Sequence, residues 1–420
     1  MIEYRTFTLD NGLRVAHSCD PSTAMVAVNI LYDTGARDES PTLTGIAHLF
    51  EHLMFGGSAN VSDYSAEIEA AGGWDNAWTS NDFTNFYEVL PAQNIETAFW
   101  LESDRMLAPN LDERTLSVQR QVVIEEFKQQ CLNRPYGDMA HYLRRLLYGD
   151  SHPYAWPVIG KKPEHVAAVT TDDARRWFYD HYGPDNAVLA VSGNVSFEEV
   201  RHLAEKWFGP IPRRNIARRN MPAPHFPDTD VTERVKGNVP QTAVTVAYPM
   251  AAYGKRDYFV ADTITDLLSA GRSSRFYRRL LMGGSGLFSE VDASIIGSEH
   301  EGFLMLNAKL TDSSDEAVER AITMMKSEAA ALAEADGVSD YELERCMNRF
   351  ESTFNFSNMG YQNRAASLAL AVNHGEDINK TVERQRATTC DDVRRVAEQL
   401  FRHTASATVI YEKKEEEEND

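Results

Sequence analysis

The stretch Thr171-Asp172-Asp173-Ala174-Arg175-Arg176 returns near the end of the chain as Cys390-Asp391-Asp392-Val393-Arg394-Arg395, 219 positions later. The same offset carries the apolar run Ala187–Ser192 onto Ser406–Tyr411. Each pair reads as a helix opened by acids and followed by a buried strand. Working outward, the order ahead of the first copy also recurs. Met25–Tyr32 reads as a strand, followed by a polar loop and a helix opening near Thr44-Gly45. Val244–Tyr248, a polar loop and a helix from Tyr258 to Ser269 repeat that order. The chain begins as a hairpin, with Ile2 to Leu9 and the run from Leu13 and Val15 flanking the turn Asp10-Asn11-Gly12. Long helical patterns fill Asn94 to Leu147. The reading is an α+β fold written twice, as two homologous domains of about 200 residues each.

These domains are expected at 1–212 and 241–411, joined by a linker at 213–240. The span Pro210–Pro240 has six prolines and paired arginines at 213–214 and 218–219, a composition suited to an extended, semi-rigid connector. The acidic end, 412–420, is a like-charge run expected to be disordered.

A length of 420 residues exceeds what one ordinary core fills. With 43% hydrophobic and 25% charged residues, the balance is that of a soluble globular enzyme. No apolar run approaches the roughly 18 residues of a membrane span, so no membrane partner is expected. The opening MIEYRTFTLDNG shows no secretory signal, which points to the cytoplasm. A net charge of −21 argues against nucleic acid. Cys19, Cys131, Cys346 and Cys390 form no CxxC and read as buried thiols in a reducing compartment.

The sharpest chemistry lies in Thr44-Gly45-Ile46-Ala47-His48-Leu49-Phe50-Glu51-His52-Leu53-Met54-Phe55. At about 100° per residue, His48, Glu51 and His52 share one narrow helix face, and Ile46, Leu49, Phe50, Leu53 and Met54 share the opposite one. Two histidines at i and i+4 can reach one ion, and neutral imidazole is a good zinc ligand. Glu51 stands where it can deprotonate a water activated by that Zn2+. The pattern is an inverted zincin motif, HxxEH. A catalytic zinc needs a third protein ligand, and Glu125 and Glu126 are the candidates. Glu126 shares a face with Val122 and Val123, where a carboxylate needs a partner to stay ionised; Glu125 has Gln121, Lys128 and Gln129 nearby. Glu126 is therefore the expected ligand, and Glu125 a solvated or supporting acid.

HLFEHLMFGG, Asn76–Pro91 (NAWTSNDFTNFYEVLP), VVIEEF, His152–Gly160 (HPYAWPVIG), Ser192–Pro212 and Ser273–Leu280 resemble the pitrilysin and mitochondrial-processing-peptidase family of zinc metallopeptidases. The resemblance runs over the whole chain. It implies two similar α/β-sandwich domains of metallohydrolase type with zinc in the first, and a chamber for unfolded peptides when two such pairs close together. It implies His48, His52 and Glu126 as ligands and Glu51 as general base, and the 73 residues between His52 and Glu126 fit the family interval. It also implies that a substrate strand adds to a sheet edge at Asn76 and Ala77, which reads extended backbone more than sequence.

Two positions depart from the family pattern. Many members carry a glutamate seven residues before the third ligand, and here that position is Gln119, which can hydrogen-bond but brings no charge. Active members often carry an arginine and a tyrosine in the second domain that hold the substrate carbonyl. Aligning on Gly286-Leu287 puts Met282 and Ser289 at those positions, and neither can do that job. The helix matched to the metal helix places Leu267 where His48 stands, without ligands. The leading reading is thus the catalytic subunit of a zinc endopeptidase, completed by a homologous partner chain in a heterodimer or, alternatively, working as a homodimer or monomer with Tyr277 or Arg275 as donor. A non-catalytic scaffold subunit is the second reading. A carbon–sulfur lyase sharing HxxEH is disfavoured, since those chains are single small domains.

Overall fold

The structure is a computed structural model that describes residues 1–217 and 220–414. Eleven strands among these residues form two sheets. The first sheet contains β1 (Arg5–Thr8), β2 (Arg14–Cys19), β3 (Met25–Tyr32), β4 (Trp74–Thr79), β5 (Thr84–Pro91) and β6 (Ala187–Gly193), in the order β1-β2-β6-β3-β5-β4. The second contains β7 (Val231–Gly237), β8 (Ala243–Met250), β9 (Phe288–Ile296), β10 (Gly302–Leu310) and β11 (Ala407–Lys413), in the order β7-β11-β8-β10-β9. Remove β1, and the two orders are identical. Directions match as well: β2 runs parallel to β6 as β7 does to β11, and the remaining neighbours are antiparallel in both. The duplication read from the DDxRR echo is a duplication of topology.

The echo also has a local cause. Thr170 accepts from the Asp173 N–H while the Asp173 carboxylate accepts from the Thr170 N–H, and Thr389 and Asp392 repeat that reciprocal cap. Each cap satisfies otherwise orphaned donors at the start of its helix. The helices so opened, Thr171–His181 and Cys390–Glu398, lead into the central strands β6 and β11. All seven residues of β6 are buried, as expected for a strand covered on both faces.

The described residues fall into two compact units that are not the two halves of the chain. The first unit holds Met1–Phe127, Pro157–Asn220 and Thr353–Thr381. Within it, the helix Tyr361–His374 lays Ala365, Leu368 and Ala369 against Ala16, Ala27, Val188 and Ala190 of the first sheet. The second unit holds Lys128–Trp156, Met221–Ser352 and the chain from Val382 on. Within it, Leu143 and Leu147 of the helix Met139–Tyr148 pack with Ala247, Phe303 and Val409 of the second sheet. Each copy has thus lent one helix to cover the other copy's sheet. The cuts at 212 and 241 describe the repeat in chain order and not these units.

Three further expectations change. The segment 213–240 contains β7, an edge strand of the second sheet, because Val231, Glu233, Val235 and their neighbours pair with β11. Glu412 and Lys413 belong to β11 rather than to a disordered tail, and Arg234 pairs with the Glu412 carboxylate; residues 415–420, like Arg218 and Arg219, lie outside the described residues. Cys131 and Cys346 are buried, Cys390 is half-buried and Cys19 is exposed at the end of β2; all four are free thiols. No helix among the described residues is long and apolar enough to cross a membrane.

Candidate metal centre

The helix Ile46–Leu53 is placed by its apolar face. Ile46, Leu49, Phe50, Leu53 and the following Met54 are all buried. The Phe50 ring lies tilted against Tyr182 at 4.5 Å and stacks with Phe178 at 6.1 Å, at the end of the first echo helix. The element that announces the repeat in sequence therefore seats the motif helix. The helix begins at Gly45, whose φ of +88° suits glycine; a Cβ there would also come within 3.0 Å of the Ile159 carbonyl. The buried Glu39 accepts the Ala47 N–H at 2.9 Å and complements the positive helix start.

His48 and His52 project from the opposite face toward the helix Glu113–Phe127, and Glu126 meets them there. Glu126 Oε2 lies 3.6 Å from His48 Nε2 and 3.7 Å from His52 Nε2. One ligand atom from each of the three lies within 4.8 Å of the others, and no other such group of three occurs among the described residues. Burial, reinforced by His52, pushes the His48 ring down to about 4. Burial also lowers His52, against the opposing pull of Glu126 and a hydrogen bond to Gln119. Both rings are thus neutral at pH 7, the form that offers a lone pair to a metal. Two neutral imidazoles and one carboxylate around a common centre fit zinc, and leave a position for a fourth group.

Glu51 occupies the same helix face. Burial pushes its carboxyl up to about 7, the Thr79 hydroxyl opposes this by donating to Oε2, and the Glu126 charge adds to the rise. A carboxyl poised near neutrality suits proton transfer at that pH. Glu125 points away, is exposed, and accepts from Gln121 at 2.9 Å. Glu126 does not sit on a fully apolar face: Val123 is buried, but Val122 is 40% exposed, so the histidines and not an apolar wall provide its environment. Asn76 and Ala77 lie on β4, the outer strand of the first sheet. The Ala77 N–H is taken by the Asn76 side chain at 2.8 Å.

Three features of the site carry no motif in the sequence. Thr79 and Glu39 touch the motif helix only through tertiary approach; the helix face and the strand alternation could be read, but not their mutual register. The third is a buried ionic group: Arg105 pairs with Glu88 and Glu102, and the Tyr64 hydroxyl donates to both carboxylates. Burial, then the Glu102 charge, pushes Glu88 well above the usual carboxylate range. This group anchors β5, to which β4 is paired. Its only sequence signal is an ESDRM run within an otherwise apolar helix.

In the second unit, Met282 is exposed, and the Ser289 hydroxyl donates to Gln241 at 2.9 Å. Arg275 is not a spare donor: it is buried and bound to the Glu342 carboxylate at 3.0 Å and to the Gly337 carbonyl. Tyr277 is half-buried.

The profile described as Insulinase (Peptidase family M16) matches residues 14–149, and that of the Peptidase M16 inactive domain matches 168–350. The chain belongs to peptidase family M16. The M16 relatives include an uncharacterized zinc protease, YmxG of Bacillus subtilis, 24% identical over 97% of this chain and 98% of its own length. The beta subunit of the mitochondrial-processing peptidase of Saccharomyces cerevisiae is 30% identical over 61% of this chain and 56% of its own length. Among solved structures, a protease from Helicobacter pylori superposes with a TM-score of 0.88 at 25% identity, covering 98% of this chain and 100% of that one. The two-domain M16 fold accounts for the duplicated sheets.

Proposed function

We propose that this M16 chain is a zinc-dependent endopeptidase subunit that hydrolyses unfolded peptides. The observation that carries the reading is the convergence of His48, His52 and Glu126 beside Glu51 on one helix face. His48, His52 and Glu126 would hold the metal, with Gln119 orienting the His52 ring. Zinc, when bound, supplies Lewis acidity toward the scissile carbonyl and makes water more acidic. Glu51 takes the proton of the attacking water and passes it to the leaving amine; Thr79 keeps its carboxylate aimed. The outer strand β4, at Asn76 and Ala77, pairs with the backbone of an extended substrate.

Oxyanion support is the part this chain does not carry in the expected place. Met282 has no donor, Ser289 is engaged with Gln241, and Arg275 is engaged with Glu342. Losing such a donor costs on the order of 10²–10³ in rate. A homologous partner chain that supplies an arginine and a tyrosine, enclosing the peptide in a shared chamber, restores it. The same observation favours a second reading, a non-catalytic subunit that retains a metal site.

The test is zinc content of the purified chain, followed by cleavage of an unstructured peptide by this chain alone and together with its nearest-encoded homologue. One zinc per chain and activity that rises on adding the homologue are expected. Full activity of the chain alone, unchanged by the homologue, overturns the heterodimer; zinc without cleavage under either condition favours the non-catalytic subunit.

A further inference from the structure

The strand β4 pairs with β5 on one side only, and its two faces differ. Asp75, Ala77 and Thr79 are half-buried on the face toward the motif helix, where Thr79 holds Glu51. Trp74, Asn76 and Trp78 line the opposite face and are exposed, Trp74 by 46% and Trp78 by 40%. An outer strand with exposed tryptophans invites unwanted pairing, and chains usually blunt such edges with charge or proline. Here neither is present at Trp74, Asn76 or Trp78. Trp74 is also built into a platform. Its ring meets that of Tyr87 edge-on, with centroids 5.7 Å apart at 87°, and Tyr87 stands opposite Asn76 on β5.

The position of this platform relative to Glu51 defines what it can read. Trp74 lies five residues from Thr79, about 17 Å along a strand. Side chains of a peptide added to this edge alternate in facing, as those of β4 do. A residue opposite Thr79 faces the motif helix, and one five positions away faces the Trp74 side. We infer that Trp74 and Tyr87 form a remote subsite for one large apolar or aromatic side chain of an extended substrate, about five residues from the one facing Thr79. The inference rests on the proposed peptidase reading, in which β4 is the substrate edge. An additional aromatic contact of this kind should give a preference of about three- to ten-fold.

The experiment uses the zinc-loaded chain, with its homologue if activity requires it, and unstructured peptides of Gly, Ser and Ala in which a single Phe is walked one position at a time. Cleavage sites and kcat/KM are read by mass spectrometry. The same peptides are titrated calorimetrically into the Glu51→Gln chain. The expected result is a three- to ten-fold gain when Phe lies about five residues from the residue facing Thr79. The two adjacent positions should show no gain, Trp74→Ala should remove the gain, and Trp74→Phe should retain most of it. An unchanged profile in Trp74→Ala, a gain without alternation, or a gain with Arg in place of Phe overturns the inference. So does a Trp74→Ala chain that merely loses self-association while keeping the wild-type profile. If no peptide is cleaved, the peptidase reading fails; the subsite then stands only if Trp74-dependent binding persists in the titrations, and falls if it does not.

Discussion

The helices Ile46–Leu53 and Arg256–Ser269 each follow the matching central strand, β3 and β8, in two copies of one topology. One carries His48, Glu51 and His52. In the other, the position 219 residues after His48 is Leu267, which is fully buried in the second core with Ile264 and Leu268. The positions 219 residues after Glu51 and His52 are Ala270 and Gly271, beyond the end of that helix at Ser269. The sheet, the reciprocal cap and the order of elements survive without the two histidines and the glutamate, so these side chains are not what the fold requires. Burial of a side chain like Leu267 stabilises by about 1.5–3 kcal/mol, whereas burying imidazoles and a carboxylate without a metal costs free energy. The first copy tolerates that cost on one narrow face because Ile46, Leu49, Phe50 and Leu53 fill the other.

The comparison breaks most sharply at the ligands. His48→Ala, His52→Ala and Glu126→Ala should each lose zinc and all metal-dependent hydrolysis, measured by metal analysis and peptide turnover. Leu267→Ala should leave the zinc content at one per chain.

Glu51→Gln should keep zinc and peptide binding while turnover falls by about 10²–10⁴, since the amide cannot accept the proton of water. Near-normal turnover would remove Glu51 from the chemistry.

On the packing side, Leu267→Ala should cost about 2–5 kcal/mol in denaturant unfolding of the second unit. A cost near zero would mean that this helix is not a core element.

Smaller effects sharpen the boundary of the site. Gln119→Ala should weaken zinc affinity by about 10- to 100-fold in a competition with a chelator, because it frees the His52 ring. Glu125→Ala, at an exposed position, should change stability by less than about 0.5 kcal/mol and zinc affinity hardly at all.

Much of this was legible before any coordinates. The inverted motif has a helical period that separates its polar groups from the core, so His48, Glu51 and His52 could be placed on one face from spacing alone. The DDxRR echo could be read because a reciprocal cap needs the same side chains wherever it is built. The approach of Glu126 to the histidines could be anticipated too, although not from an apolar face: Val122 is exposed, and the histidines supply its surroundings. The edge position of Asn76 and Ala77 came from likeness to a family, and the open side of β4 agrees with it.

Sequence by itself determined what is periodic or local: the strands, the capped helices, the repeat, and the face of the motif helix that holds two imidazoles and a carboxylate. Only the tertiary structure decided which segments assemble. Nothing in Met139–Tyr148 or Tyr361–His374 indicates that each covers the sheet of the other copy, since an amphipathic face specifies that it must be buried and not against what. The same limit applies to Thr79 reaching Glu51, Glu39 capping the motif helix, and Arg105 joining Glu88. Each depends on the register between elements distant in sequence, and that register is set by how two cores pack rather than by any local pattern.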